Sequence, residues 1–236
     1  MKKVFGVLSI ISIVFIGANF ISNKADYRIE AESKSSKYID ISKKVNDESN
    51  DIKITQEYIE GVQALFVNDI VVVNKEFGLP KDYRAPKELE VEALNAAENM
   101  IKDALKEGII INIKSGYRSY KTQEALHDYY VKRDGSKAAK RYSATPGHSE
   151  HQTGLAFDFT TSNTRKSIGT WFTDTQQAKW LYENAYKYGF IIRYPQGKED
   201  ITGYQYESWH YRYVGYEHSK NFVMNNLTLE EYLGLD

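Results

Sequence analysis

The chain has 236 residues, of which 42% are hydrophobic and 14% aromatic, and this suffices for one folded domain with additional segments. The formal net charge is −1, so no excess of positive charge favours a nucleic acid as the main partner. Cysteine is absent, which excludes thiol catalysis, disulfide bonds and zinc sites with cysteine ligands.

The first predicted element is an uncharged apolar segment at residues 4–22, which follows Lys2 and Lys3. Its nineteen residues, at about 1.5 Å each, nearly span a bilayer core of about 30 Å. The two lysines favour an orientation with the rest of the chain outside the membrane. The residues before position 23 make a poor cleavage site for a signal peptidase. We therefore expect residues 1–22 to be a retained anchor that holds the protein at the extracytoplasmic face of a bacterial cell membrane. A cleaved signal peptide, with secretion, is the alternative.

Residues 23–56 are rich in charged and small polar side chains, which is typical of a solvated tether, and the folded domain is predicted at residues 57–236. Strands are predicted at residues 70–73, 109–114, 154–160, 190–194 and 210–214. Helices are predicted from Pro86 to about residue 107, at 121–133 and at 175–188, the first with Leu94, Ala97, Ile101 and Leu105 on one face. This order predicts an α+β fold with a mainly antiparallel sheet flanked by helices.

Two predicted strands each carry a potential metal ligand on the face opposite their aromatic side chains. Alternation along residues 154–160 places Asp158 with Gly154 and Ala156, whose small size leaves room beside the carboxylate. The same rule places His210 opposite two tyrosines. Together with His151, these residues offer nitrogen, oxygen and nitrogen donors, a set that zinc uses in catalytic sites with a fourth position open to water.

Two further residues have chemistry that would complete such a site. Glu207 lies three residues before His210 and could take a proton from a water molecule. Arg118 lies in a turn after a strand and could hold a substrate carbonyl or carboxylate. Each residue alone also has a purely structural interpretation, such as a salt bridge between Asp158 and Arg118. The joint pattern is what favours a catalytic metal site.

Three segments resemble the motifs of one enzyme family. Residues 149–158, SEHQTGLAFD, resemble the S-x-H-x-x-G-x-A-x-D motif of the VanY- and VanX-type zinc D-alanyl-D-alanine peptidases, which are relatives of the Sonic hedgehog signalling domain. ESWH at residues 207–210 resembles the family's E-x-W-H, and SGYRS at residues 115–119 resembles its S-G-Y-R-S segment. The similarity extends from about residue 72 to residue 215, with all motifs in the family's order.

The resemblance implies a zinc (Zn²⁺) site on the open face of the sheet, with a general base and an arginine that stabilises the oxyanion. The implied zinc ligands are His151, Asp158 and His210. The implied catalytic residues are Glu207 as the base and Arg118 at the oxyanion. The implied contacts with the terminal residue of the substrate are Ser149, Gln123 and Tyr194.

The expected activity is therefore removal of the C-terminal D-alanine from peptidoglycan stem peptides, with D-Ala-D-Ala ends as the main substrate. An L,D-carboxypeptidase that acts on tetrapeptide stems is the nearest alternative, because the bond differs only in the stereochemistry of the penultimate residue. A zinc-binding module without activity is a second alternative, and the presence of Glu207 and Arg118 argues against it.

Two other hydrolase classes fit the sequence poorly. A serine D,D-peptidase would need the spacing S-x-x-K, and no serine of this chain has a lysine three residues after it. A glycosidase with Asp158 and Glu207 as paired carboxylates would leave both motif histidines without a function.

Overall fold

The computed structural model describes residues 54–59 and 62–235, with side chains from residue 64 onward. The predicted anchor and nearly all of the predicted tether lie outside these residues. Among the helices of the described part, none is long and apolar enough to cross a membrane. The first described strand begins at Ile54, slightly before the predicted start of the domain at residue 57.

Three short strands at the start of the described chain form an antiparallel sheet. Strand β1 (Ile54–Ile59) pairs with β2 (Val62–Val67), which pairs with β3 (Ile70–Val72). Asn68 and Asp69 between β2 and β3 have φ angles of 51° and 62°, as a two-residue hairpin turn requires. Of these three strands, only β3 is predicted from the sequence. This Asn-Asp pair between two apolar runs is the local signal of the hairpin.

The larger sheet has four antiparallel strands in the order β4-β5-β7-β6. These strands are β4 (Asn112–Ser115), β5 (Ala156–Thr160), β6 (Phe190–Ile192) and β7 (His210–Tyr213). In the pairing of β5 with β7, Asp158 lies opposite His210 and Phe157 lies opposite Tyr211. The mainly antiparallel sheet is therefore confirmed, and its register puts two of the polar side chains next to each other.

Helices connect and flank these strands. The α-helices are α1 (Lys87–Lys106), α2 (Tyr120–Asp134), α3 (Ser136–Ala139), α4 (Gln176–Asn184), α5 (Glu199–Thr202), α6 (Tyr216–Asn225) and α7 (Leu229–Leu233). Short 3-10 helices cover Glu150–Thr153, Thr170–Phe172 and Ala185–Tyr188. The hydroxyl groups of Ser119 and Thr175 cap α2 and α4 by accepting hydrogen bonds from the backbone.

Aromatic side chains form the core face of the larger sheet. The rings of Phe157 and Phe190 meet edge to face with centroids 5.7 Å apart, and those of Phe159 and Tyr211 lie 5.8 Å apart. These rings belong to one buried cluster that includes residues of α1 and α4. Because side chains alternate along a strand, the opposite face of β5 and β7 is left for polar groups.

The buried face of α1 differs from the predicted one. Leu94 and Leu105 are 41% and 57% exposed, whereas Ala97 and Met100 are fully buried. Three of the five buried residues of α1 are alanines, at positions 93, 97 and 104. Their small size lets the helix backbone approach the aromatic sheet closely, and the longer leucines lie outside this contact. The predicted face followed the largest apolar side chains and is therefore wrong at Leu94 and Leu105.

Candidate metal and catalytic site

Three potential metal ligands, His151, Asp158 and His210, come together on the face of the larger sheet that lies opposite the core and form a triad. One potential ligand atom of each residue lies within 4.8 Å of the others. Nε2 of His151 is 3.3 Å from Oδ2 of Asp158, and Nδ1 of His210 is 3.1 Å from Oδ1 of the same carboxylate. All three side chains are buried. One cation with bond lengths of about 2.0–2.2 Å, as zinc forms with these donors, could contact all three.

Gly154 gives the chain the turn that brings His151 to β5. It ends the 3-10 helix Glu150–Thr153 with a φ angle of 77°. A Cβ atom at this position would lie 2.8 Å from Oε1 of Glu90 on α1. From the sequence, Gly154 is expected to leave space beside Asp158. In the structure the space it leaves is occupied by Glu90, and its positive φ angle sets the entry into β5.

Each histidine of the triad has a hydrogen-bond partner on the ring nitrogen that faces away from Asp158. Nδ1 of His151 donates to the carbonyl oxygen of Gly116 at 2.8 Å, which leaves Nε2 for a metal. His210 has the opposite orientation, with Nε2 3.4 Å from Oε2 of Glu150 and Nδ1 towards Asp158. Such second contacts fix the tautomer and the ring orientation of histidine ligands. The donor set and its supports therefore fit a zinc ion.

Burial and mutual contact shift the pKa values of the triad. Burial lowers the pKa of His151. Burial disfavours the charged form of Asp158, but the two histidines outweigh it and hold the pKa of this carboxyl below its usual range. Burial also opposes protonation of His210, yet its hydrogen bonds to Asp158 and Glu150 raise its pKa to about 9. A carboxylate therefore faces two imidazoles, and a metal ion would replace a proton at His210.

Glu207 is buried beside the triad. Its Oε2 lies 4.0 Å from Nδ1 of His210, and its backbone N–H donates to the carbonyl oxygen of Tyr194 at 3.1 Å. Burial raises the pKa of Glu207 to about 8, with Asp158 adding to this effect and His210 opposing it. A carboxyl group with such a pKa can accept and return a proton near neutral pH.

Arg118 points its guanidinium group towards the same cavity. Its nitrogen Nη2 lies 3.9 Å from Oδ2 of Asp158 and donates a hydrogen bond to Oγ of Ser115 at 3.1 Å. Its nitrogen Nη1 donates a hydrogen bond to Oε1 of Gln123 at 2.8 Å, and Gln123 is itself buried on α2. The side chain of Arg118 is 20% exposed. It is therefore held in one orientation while remaining accessible to an anionic group in the cavity.

A cavity of about 300 Å³ opens above the triad. All residues predicted for the site line it: His151, Asp158, His210, Glu207, Arg118, Ser149, Gln123 and Tyr194. The ring of Tyr194 packs on the ring of His210, with centroids 4.9 Å apart. Of the three histidines outside the predicted site, two have other partners, since His148 contacts the carbonyl oxygen of Asn74 and His218 contacts the hydroxyl of Tyr232.

Two parts of this site are not predicted from the sequence. One is an aromatic wall of the cavity, formed by Tyr130, Tyr142, Tyr204 and Trp209. The other is Glu150, which lies beneath His210 between Arg193 and Arg212. A signal for it exists in the sequence, because both arginines fall on or directly after apolar strands and a buried guanidinium group needs a carboxylate partner.

Comparison with known proteins identifies relatives across most of the chain. Residues 86–216 match the family described as VanY, D-alanyl-D-alanine carboxypeptidase. YodJ of Bacillus subtilis (strain 168), named as a carboxypeptidase, is 38% identical, and the match covers 95% of this chain and 93% of that protein.

Two solved structures share the fold with substantial sequence identity. The LD-carboxypeptidase LdcB is 39% identical with a TM-score of 0.66, over 76% of this chain and 92% of that one. A mutant of the vancomycin-resistance D,D-pentapeptidase VanY, from a VanB-type cassette and in complex with Zn(II), is 32% identical. Its TM-score is 0.59, over 69% of this chain and 97% of that one.

Proposed function

Since the chain belongs to the VanY family of D-alanyl-D-alanine carboxypeptidases, we propose that it removes the C-terminal D-alanine from peptidoglycan stem peptides. Zinc is its cofactor, and His151, Asp158 and His210 are the residues that would hold it. The observation that carries this proposal is the convergence of the triad, Glu207 and Arg118 on one cavity. A zinc-binding module without activity would have no use for the last two.

The residues around the triad supply the remaining steps of peptide hydrolysis. When bound, zinc polarises the scissile carbonyl group and lowers the pKa of water. Glu207 takes a proton from the attacking water as its oxygen bonds to the carbonyl carbon. It returns the proton to the amine nitrogen of the terminal D-alanine as the C–N bond breaks. Arg118 donates hydrogen bonds to the negative charge that develops on the carbonyl oxygen.

We propose three supporting roles in the same cavity. Gln123 holds Arg118 through its 2.8 Å hydrogen bond. Tyr194 packs on the ring of His210 and forms part of the wall that faces the terminal residue of the substrate. Ser149 lines the cavity directly before the 3-10 helix that carries His151, where its hydroxyl can contact the substrate carboxylate.

The main substrate on this proposal is a pentapeptide stem that ends in D-Ala-D-Ala, and the description of the family as a D-alanyl-D-alanine carboxypeptidase supports this end group. A second candidate is an L,D-carboxypeptidase acting on tetrapeptide stems. It is favoured by the similarity to LdcB, which at 39% identity exceeds the 32% identity to VanY. The two activities use the same site and differ in the configuration of the residue before the scissile bond.

A stem-peptide assay tests metal, reaction and stereochemistry together. The purified protein is incubated with a pentapeptide and with a tetrapeptide stem, and the products are identified by mass spectrometry. We expect loss of terminal D-alanine from the pentapeptide, its abolition by a chelator and its recovery on addition of zinc. Cleavage of the tetrapeptide alone would establish the L,D activity instead. Zinc binding without cleavage of either peptide would contradict the enzymatic function.

We also propose that the protein works on the extracytoplasmic side of the bacterial membrane, held there by residues 4–22. The absence of charge in this segment and the two lysines before it support the proposal. Fractionation of cells that express the full chain tests it, with recovery in the membrane fraction as the expected result. Recovery of a shortened protein from the medium would support a cleaved signal peptide.

A further inference from the structure

A second carboxylate lies on the side of His210 that faces away from Asp158. Glu150 is 1% exposed, and its Oε2 is 3.4 Å from Nε2 of His210. Nδ1 of the same ring is 3.1 Å from Oδ1 of Asp158. The imidazole is therefore held between two carboxylates, with one nitrogen directed to each.

Two buried arginines fix the position of Glu150. Nε of Arg193 donates a hydrogen bond to Oε1 of Glu150 at 2.8 Å, and Nη1 of Arg212 donates to the same oxygen at 2.9 Å. Both guanidinium groups are almost completely buried, with exposures of 0% and 1%. Since both arginines use Oε1, the second oxygen of Glu150 is left to accept a hydrogen bond from His210.

The surrounding network balances the charge of this carboxylate. Glu230 on α7 accepts hydrogen bonds from both terminal nitrogens of Arg193, at 2.9 and 2.6 Å, and also from Asn74 at 3.2 Å. Two glutamates therefore face two arginines, and no net charge is buried among these four groups. Removing one member of such a network leaves an uncompensated charge in the interior. Glu150 can thus remain a carboxylate beneath His210.

The two histidines of the triad would bind a metal through different nitrogens. His151 offers Nε2 and is held by the carbonyl oxygen of Gly116, whereas His210 offers Nδ1 and faces the charged Glu150. A carboxylate or a backbone carbonyl behind a histidine ligand fixes its tautomer and ring orientation and raises its basicity. Each histidine therefore has a partner that sets which nitrogen it presents to a metal, and for His210 this partner is a charged side chain.

We propose that Glu150 is a positioning residue for the metal ligand His210. It accepts a hydrogen bond from Nε2–H and so presents Nδ1 of the ring to the zinc ion. Glu150 acts through His210 rather than on the reacting atoms. The inference rests on the proposed zinc site and adds a residue that the motif histidines and Asp158 do not include.

The variant Glu150→Gln tests the inference through metal affinity. Zinc is titrated into the metal-free full-length protein in competition with a chromophoric chelator. We expect the dissociation constant for zinc to rise about 10–100-fold, the usual effect of losing the partner of a histidine ligand. An increase of less than about threefold in a folded variant would overturn the proposal, because it would place the effect well outside that range.

Glu230→Gln is the matched control for this experiment. It also removes one carboxylate charge from the network, but Glu230 has no hydrogen bond to His210 among the described contacts. We expect it to lower thermal stability while leaving the zinc dissociation constant close to that of the unchanged protein. If both variants weakened zinc binding equally, the effect would be a general loss of stability and the positioning role would be refuted.

A measurement on the unchanged protein decides the matter if Glu150→Gln does not fold. Nitrogen-15 NMR of the zinc-loaded protein identifies which ring nitrogen of His210 carries the proton. The proposal requires a protonated Nε2 and a metal-bound Nδ1, and the reverse assignment would overturn it. Failure of the unchanged protein to bind zinc would refute the proposed function instead, so the two failures are distinguishable.

Discussion

Glu207 combines two properties that a proton-transfer residue needs. It is buried, and this burial raises its pKa to about 8. Its Oε2 lies 4.0 Å from Nδ1 of His210, close to the metal ligands but farther from this nitrogen than the carboxylate of Asp158. Asp158 is closer to both histidines and keeps a pKa below its usual range. The two carboxylates are thus separated into an ionised metal ligand and a group that can exchange a proton.

The variant Glu207→Gln should separate chemistry from metal binding. The amide fills the same space but cannot accept a proton, so we expect a full equivalent of zinc and a loss of turnover of about 10²–10⁴-fold. Metal content by mass spectrometry and D-alanine release are the two measurements. His210→Ala is the companion variant and should lose the metal itself. Turnover of Glu207→Gln near that of the unchanged enzyme would rule out the base assignment.

At the scale of single elements, the turn at Gly154 connects the helix that carries His151 to the strand that carries Asp158. Its φ angle of 77° is unfavourable for other residues, and a Cβ atom would also meet Glu90 at 2.8 Å. Both the spacing of the two ligands and the contact with α1 therefore depend on this one position.

The variants Gly154→Ala and Gly197→Ala distinguish two destabilising effects of a side chain at residue 154, which are backbone strain and the close contact with Glu90. Gly197 has a similar φ angle of 81°, but nothing lies within 4 Å of its Cβ position. We expect Gly197→Ala to lower the free energy of unfolding by about 1–2 kcal/mol through backbone strain alone. Gly154→Ala should cost clearly more and should also weaken zinc binding. Equal losses in urea denaturation would mean that the contact with Glu90 is not restrictive.

The C-terminal helix α7 begins with a capping box that also responds to pH. Thr228 and Glu231 each accept a hydrogen bond from the other's backbone N–H. Lys198 donates a 2.7 Å hydrogen bond to Glu231, and this contact holds the pKa of the carboxyl below its usual value. A carboxyl group with a lowered pKa in the folded state contributes stability above its unfolded pKa of about 4.3 and loses it as the pH falls.

The variant Glu231→Gln should therefore be less stable than the unchanged protein at pH 7, and this difference should shrink as the pH falls below about 4. Thermal unfolding of both proteins across this pH range is the measurement. Thr228→Ala serves as a control, because it removes the cap at a cost of about 1 kcal/mol that does not depend on titration of its own side chain. If the difference in stability between Glu231→Gln and the unchanged protein stayed constant with pH, the role assigned to the contact with Lys198 would be contradicted.

At the scale of the whole molecule, the metal site joins segments that are distant in the sequence. His151 lies on a 3-10 helix, Asp158 on β5 and His210 on β7, and the aromatic neighbours of Asp158 and His210 in the chain belong to one buried cluster with α1. A ligand that binds the folded state alone stabilises it in proportion to the logarithm of its concentration over the dissociation constant.

We therefore expect zinc to raise the melting temperature of the folded domain. Each tenfold increase of free zinc above the dissociation constant should add about 1.4 kcal/mol of stability. Differential scanning calorimetry of metal-free and zinc-loaded protein is the measurement. His210→Ala should show little of this dependence, and a melting temperature of the unchanged protein that ignores zinc would show that the ion does not bind at the triad.

The sequence allowed the polar face of the sheet to be predicted because that prediction depends on local alternation. Asp158 and His210 each sit opposite aromatic neighbours in their own strand, and this pattern is visible without knowledge of the pairing. The buried face of α1 was not predictable in the same way, since the choice of alanines over leucines depends on how closely the sheet approaches. Glu150 was missed for a similar reason, because its partners Arg193 and Arg212 lie 43 and 62 residues away in the sequence.

The pairing of β5 with β7 brings two metal ligands together although residues 161–209 separate these strands in the sequence. This long connection supplies Ile168, Thr170, Tyr204 and Gln205 to the cavity wall, but neither histidine of the triad. The same connection also carries β6 and Glu207, so exchanges confined to the loops around Ile168, Thr170, Tyr204 and Gln205 can reshape substrate choice while the strand register keeps the ligands in place. The fold thus separates the metal ligands from these wall residues, so grafting these loops between relatives should transfer specificity while the ligands and Glu207 stay unchanged.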